Sequence, residues 1–179
     1  VERLEDLEWA LNHPSADIIW MARGGYGLTR IIDKVNTDVF LKYPKLIIGY
    51  SDITALFLDR RFDAFPLFHA SMLENILEIE IEMTLNLLKE GQQSMKCDAN
   101  MTKMALEAQI TGGNLSLVVN QLGIMDASFF EDKILFIEEI GEFDYKIDRM
   151  MVQLERSGIM NNIKALMLGQ FTDIEKGRF

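Results

Sequence analysis

The sequence predicts an α/β fold built on parallel sheet, and three observations carry that prediction. Residues 17–22 (DIIWMA) and 46–48 (LII) are apolar runs without polar alternation, as in strands buried on both faces. Segments with apolar residues three or four apart surround them, giving the order α-β-α-α-β-α-β as far as His69, which implies parallel strands with right-handed crossovers. A polar stretch without periodicity at 92–102 separates this part from a second run of strands and helices. Two domains are therefore expected, an α/β domain over 1–91 and a smaller β/α domain over 103–179.

Leu4, Leu7 and Leu11 mark one face of a helix over 2–11, which Asn12-His13-Pro14 ends. The strand at 17–22 runs into Arg23-Gly24-Gly25-Tyr26-Gly27, and Leu28, Ile31, Ile32 and Val35 have helical spacing after it. A short helix over 38–43 leads through Pro44 to the strand at 46–48. Gly49-Tyr50-Ser51-Asp52 breaks that strand, and Ile53, Leu56, Phe57 and Arg60 resume helical spacing. Residues 65–68 read as a third strand, ending at His69, and 84–90 as a helix stopped by Gly91. In the second half, Met104, Leu106, Ala108 and Ile110 alternate with polar residues, predicting a strand with one wet face. Gly112-Gly113-Asn114 reads as a turn before an apolar helix to Leu122. A strand is expected over 133–138 (KILFIE), a helix over 145–157 with Gly158 as its cap, and a last strand over 165–168.

Composition narrows the function. Apolar residues make up 49% of the chain, enough for a sizeable core. A net charge of -10 argues against nucleic acid or an anionic membrane as partner. With Cys97 as the single cysteine, no internal disulfide can form. His13, His69 and Cys97 lie far apart and supply no metal-ligand spacing, so neither metal nor cofactor is expected. No apolar run approaches the length of a membrane span. The chain opens on Val1 inside a helical pattern and closes on a polar stretch at 172–179, so it is expected to be the central part of a longer protein.

In parallel sheets, sites form at the carboxyl ends of the strands, which puts residues 23–27 and Ser51 at one edge. A serine in a tight strand-to-helix turn has the logic of a nucleophile elbow, although Ile53 stands where the second glycine of G-x-S-x-G would be. Read alone, Ser51 is also an ordinary N-cap serine. The glycines at 24, 25 and 27 let backbone N–H groups approach a ligand closely, as in an oxyanion hole, or simply permit a tight turn. Neither G-x-G-x-x-G nor a P-loop lysine is present. Glu138, Glu139 and Glu142 end a strand, where one carboxylate could orient a histidine or all three could form a solvated turn. His69 shares the edge of Ser51, whereas His13 sits at a helix end and reads as exposed.

In combination, MARGGYG, IIGYSDITAL, ITGGNLS, ILFIEEIGE and MLGQFTD, in that order, resemble the LD-carboxypeptidases. These are serine peptidases of the muramoyl-tetrapeptide carboxypeptidase family, which includes self-immunity peptidases against peptidyl-nucleotide antibiotics. The resemblance spans residues 4–173. It implies a flavodoxin-like N-terminal domain and a swivelling β/α C-terminal domain, the first lacking its opening strand here and the second its C-terminal part. It implies a Ser-His-Glu triad without metal, with Ser51 as nucleophile and Glu138 as the carboxylate. Backbone N–H groups of Gly24, Gly25 and Asp52 would form the oxyanion hole. The family's histidine lies past the Gly-Gln-Phe-Thr-Asp block, which places it beyond Phe179. Phe68-His69-Ala70-Ser71 stands where many members have His-Gly-Pro, so the adjoining substrate wall is expected to differ. The implied function is cytoplasmic release of the terminal D-alanine from L,D-linked murein tetrapeptides during cell-wall recycling, with a homodimer as one expected assembly. An immunity-type peptidase and a non-catalytic binding fragment are the rival expectations.

Overall fold

The computed structural model describes residues 2–38, 42, 44–63, 65–74, 76–91 and 106–177. Cys97, Met104 and the polar stretch at 92–102 lie outside the described residues, as does most of the short helix expected over 38–43. The fold is mixed α/β with two three-stranded parallel sheets.

The first sheet follows helix α1 (Glu2–Asn12) and has the order β1 (Ile18–Trp20), β2 (Leu46–Gly49), β3 (Leu67–His69). In register, Ile18 faces Leu46 and Gly49 faces His69. Ile47 and Ile48 are fully buried at the centre, which explains the unbroken apolar run. Leu11 of α1, Leu28, Ile32, Val35, Leu56 and Phe62 close the core around the sheet. At its amino-terminal edge Lys45 is buried, its ammonium donating to the carbonyls of His13 and Ala16. A buried cation needs such acceptors.

The second sheet has the order β4 (Ile110–Asn114), β5 (Ile134–Ile140), β6 (Ala165–Thr172). Helices α4 (Leu115–Asn120), α5 (Asp144–Arg156) and α6 (Ile159–Asn162) connect the strands. Leu115, Val118, Leu135, Ile137 and Leu154 form its core. Helix α2 (Thr54–Phe57) lies between β2 and β3 in the chain, and α3 (Glu78–Glu90) follows β3, stopped by Gly91 in a left-handed conformation. The cores interlock, since Leu58, just after α2, is buried in the second core and Leu117 of α4 packs on the first.

Four elements differ from the sequence expectation. Of the alternating strand expected from Met104 to Ile110, the described residues 106–109 are not strand, and β4 begins only at Ile110. Residues 28–35 form two short 3-10 turns, Leu28–Arg30 and Ile32–Lys34, not one helix. The Ile32 carbonyl accepts from Arg61 Nη2 at 2.9 Å, and the Asn36 N–H that a continuing helix would send to it goes to Glu8 instead. The helix expected after Ser51 is likewise short, with α2 lying between 3-10 turns at Ser51–Ile53 and Arg60–Phe62. Gly112-Gly113-Asn114 is not a turn but the carboxyl end of β4, paired with Phe136, Ile137 and Glu138. Close packing explains the glycines: a Cβ at Gly112 would lie 2.1 Å from the Phe136 carbonyl, and one at Gly113 would lie 2.4 Å from Thr54 Oγ1.

Candidate active site

Ser51 stands at the carboxyl end of the central strand β2. Tyr50 continues the extended backbone, and Ser51 then takes φ 60°, one of three described non-glycine residues with positive φ. That left-handed conformation costs a side-chain-bearing residue about 1–2 kcal/mol, and it turns the chain abruptly into the 3-10 turn and α2. The hydroxyl makes no hydrogen bond among the described residues and faces Gly24. A Cβ on Gly24 would sit 3.1 Å from both Cβ and Oγ of Ser51, so only a glycine lets that backbone lie against the serine. Gly25 and Gly27, at φ 118° and 112°, complete the loop.

The resemblance implies only a backbone N–H from Asp52, but its side chain is placed as well. Its side chain is buried, and Oδ2 accepts from the Leu28 N–H at 2.9 Å. This bond ties the exit of the glycine loop to the serine turn. One signal for it was legible beforehand, an acidic residue directly after Ser51 in a buried βα turn.

A cleft of about 420 Å³ opens over the serine, lined among others by Arg23, Gly24, Ser51, Met72, Glu74 and Ile140. One wall is fixed by a hydrogen-bond chain: Trp20 Nε1 donates to the Ser71 carbonyl at 2.8 Å, and Ser71 Oγ donates to Glu80 Oε1 at 2.7 Å. Glu80 Oε2 accepts from the Leu77 N–H at 2.8 Å. The Leu77 N–H and the Ser71 hydroxyl together hold the Glu80 carboxyl below its usual range.

Glu138 and Glu139 are neighbours on β5 with different surroundings. Glu139 is buried and fully bonded: Oε1 accepts from Asn114 Nδ2 (2.7 Å) and the Ile140 N–H (3.0 Å), and Oε2 from the N–H (2.9 Å) and hydroxyl (2.6 Å) of Ser116. Glu139 therefore holds the β4–α4 junction, a role the sequence did not reveal. Glu138 Oε1 is buried with no partner among the described residues. Desolvation chiefly, then the adjacent Glu139 charge, push its pKa up, with Asn114 opposing in part. Glu138 shares a face with Phe136, as Gly169 of β6 makes room for both side chains. Phe136 meets the His69 ring of the first sheet at 5.1 Å, and Ile140, two residues past Glu138, lines the serine cleft. Glu142 is taken up by Lys146 at 2.9 Å.

His69, at the end of β3, sits among Tyr50, Phe57 and Phe136. These surroundings desolvate the imidazole and lower its pKa, although the residue keeps an exposed edge. It lines a larger neighbouring cleft of about 700 Å³ with Phe136, Lys133 and the start of β4, not the cleft of Ser51. His13 lies before β1, at the opposite edge of the first sheet, beside Trp9. Among the described residues, no group of three or more His, Cys, Asp or Glu could hold a metal ion, and no helix is long and apolar enough to cross a membrane.

Comparison with known proteins matches residues 1–69 to the LD-carboxypeptidase N-terminal domain and residues 107–178 to the LD-carboxypeptidase C-terminal domain. The "probable murein peptide carboxypeptidase" of Bacillus subtilis is 29% identical over 181 residues, which cover 95% of this chain and 57% of that protein. Among solved structures, the muramoyltetrapeptide carboxypeptidase from Oxalobacter formigenes superposes with a TM-score of 0.76 at 28% identity, over 97% of this chain and 63% of that one. The microcin C7 self immunity protein MccF shares the fold, with a TM-score of 0.78 at 20% identity over 97% of this chain and 63% of its own. The chain thus spans less than two thirds of the length of these relatives.

Proposed function

The chain belongs to the LD-carboxypeptidase family, and from that premise we propose that it carries the nucleophile and the carboxylate of a serine carboxypeptidase. The substrate in this reading is a murein tetrapeptide, from which the terminal D-alanine is released in the cytoplasm during cell-wall recycling. Residues 1–91 form the nucleophile domain and 103–179 the second domain in this reading.

In the proposed reaction Ser51 Oγ attacks the carbonyl of the last peptide bond while a histidine takes the hydroxyl proton. N–H groups of Gly24, Gly25 and Asp52 stabilise the resulting oxyanion. The proton passes to the departing amine of D-alanine, leaving an acyl-serine, and water then hydrolyses the ester with the same base. Glu138 orients the imidazole; its unpartnered buried oxygen is available for an imidazole N–H, whereas every oxygen of Glu139 is occupied. Neither His13 nor His69 lines the Ser51 cleft, so the base is assigned to a histidine outside these 179 residues.

The observation that carries this reading is the left-handed Ser51, its hydroxyl unbonded beneath Gly24 at a sheet's carboxyl edge. The test is D-alanine release from murein tetrapeptide, and hydrolysis of a peptidyl-adenylate, by the complete protein and its Ser51→Ala and His69→Ala variants. Release of D-alanine lost in Ser51→Ala and retained in His69→Ala is expected. Turnover of the peptidyl-adenylate alone would favour the immunity-type activity, and equal turnover in Ser51→Ala would remove the nucleophile role.

A further inference from the structure

Arg23 is the one cation among the described residues lining the Ser51 cleft. It makes no hydrogen bond or ion pair among the described residues, although two carboxylates, Glu74 and Glu80, line the same cleft. Glu80 is already engaged by the Ser71 hydroxyl and the Leu77 N–H, at 2.7 and 2.8 Å. Glu74 is exposed, and its N–H donates to the Ala22 carbonyl at 2.7 Å, which holds it beside the segment that carries Arg23. A guanidinium presents a planar fork of donors that matches a carboxylate bidentately. Here that fork stands open, directly next in the chain to the glycine that lies against the nucleophile.

The charges around it decide what the fork takes. The chain holds 28 acidic and 18 basic residues, so its field repels anions. Inside the cleft Glu74 and Glu80 do the same, leaving the Arg23 end as the favourable place for a negative group. An enzyme that removes one residue from a peptide's end presents its site with a free carboxylate about one residue, roughly 3.8 Å of chain, from the reacting carbonyl. We propose that Arg23 binds the terminal carboxylate of the peptide and thereby confines Ser51 to the last peptide bond. The proposal rests on the serine carboxypeptidase reading above. Arg23 in this role determines specificity; it does not take part in bond making.

The experiment is a double-mutant cycle on the complete protein, pairing Arg23→Gln with a tetrapeptide whose C-terminus is either a carboxylate or a carboxamide. For the carboxylate, Arg23→Gln should lower kcat/KM roughly 10- to 100-fold, the range for a lost charge-assisted bond, mainly through KM. For the carboxamide, variant and wild type should agree within about twofold, as no ion pair is made by either. Affinities of the same two peptides for Ser51→Ala, with and without Arg23→Gln, provide the cycle a readout that needs no turnover. Thermal unfolding of Arg23→Gln should match wild type, since the side chain has no partner among the described residues. Equal loss on both peptides, or no loss on either, would overturn the proposal while leaving the carboxypeptidase reading in place. Absence of Ser51-dependent D-alanine release by the wild type would overturn both.

Discussion

Gly24-Gly25 and Gly112-Gly113 each come after a segment that the sequence predicts as a strand, and both read as turns in the sequence. In the fold they serve different ends. Gly24 and Gly25 curve over an open cleft, where a Cβ on Gly25 would meet nothing within 4 Å and one on Gly24 would meet the serine. Gly112 and Gly113 are strand residues pressed against the Phe136 carbonyl and Thr54 Oγ1. Next to them the Asn114 N–H donates to Thr54 Oγ1 at 2.9 Å, and Glu139 binds Asn114 and Ser116. One glycine pair makes room for a ligand, and the other lets two sheets touch. A site of the first kind sacrifices local stability for chemistry, whereas a junction of the second kind is held by the hydrogen bonds of Thr54, Asn114 and Glu139.

The sharpest test of that contrast is at Ser51. Ser51→Ala should lower kcat on the order of a millionfold, the scale seen when a triad nucleophile is lost, without lowering stability. Ser51→Gly should be equally inactive yet no less stable, because relief of about 1–2 kcal/mol of left-handed strain outweighs the roughly 0.5–1 kcal/mol entropic cost of glycine. Denaturant unfolding of both variants beside wild type checks this; a large destabilisation by Ser51→Gly would mean the turn is unstrained.

At the junction the order reverses. Gly113→Ala should destabilise by about 3 kcal/mol, combining left-handed strain with overpacking, while Gly25→Ala should cost only the strain, about 1–2 kcal/mol. Equal losses at the two positions would mean that the two glycine pairs are packed alike, and urea midpoints measure both.

Glu138 and Glu139 repeat the contrast on one strand. Glu139→Ala should destabilise by about 1–3 kcal/mol for each buried donor left unpaired. Glu138→Gln should leave stability equal or raised and lower kcat/KM. The pH dependence gives this a sign. Burial raises the folded pKa of Glu138 above its ordinary 4.5, so in that window the folded state holds more protons than the unfolded one. Stability contributed by Glu138 then falls as pH rises above 4.5, and Glu138→Gln should flatten that fall. Melting temperatures from pH 4 upward, compared between the two proteins, decide it.

The smallest effect is expected at His69, whose folded pKa lies below its ordinary 6.5. The unfolded state binds the proton more readily, so the stability it contributes is present above 6.5 and is lost as pH falls through the depressed value. His69→Gln should remove this slope and leave turnover intact, which differential melting at pH 5 and 7.5 would register.

What was legible in the sequence follows from how local each signal is. The strands at Ile18–Trp20 and Leu46–Gly49 announced themselves because every residue is apolar; β2 is buried on both faces, whereas β1 buries only the face of Ile19 and leaves Ile18 exposed. Gly91 stopping α3 was legible because a left-handed cap needs little beyond its own residue. The turn at Ser51 was legible because a buried strand ran straight into it. The roles of Asp52, Asn114 and Glu139 were not, since their partners lie at Leu28, Thr54 and Ser116, 24, 60 and 23 positions away. The extension of β4 through two glycines was hidden for the same reason: what excludes a side chain at Gly112 is a carbonyl of another strand.

The burial of Leu58 inside the second core, and of Leu117 against the first, has a kinetic consequence. Neither sheet can finish dehydrating its own interior until the other has arrived, so the chain must close a long loop before either core is complete. Folding is then expected as a single slow, concerted event, not as two independent collapses. Amide hydrogens at the centres of β2 and β5 should exchange with one common free energy of opening, and Leu58→Ala should lower it for both strands together.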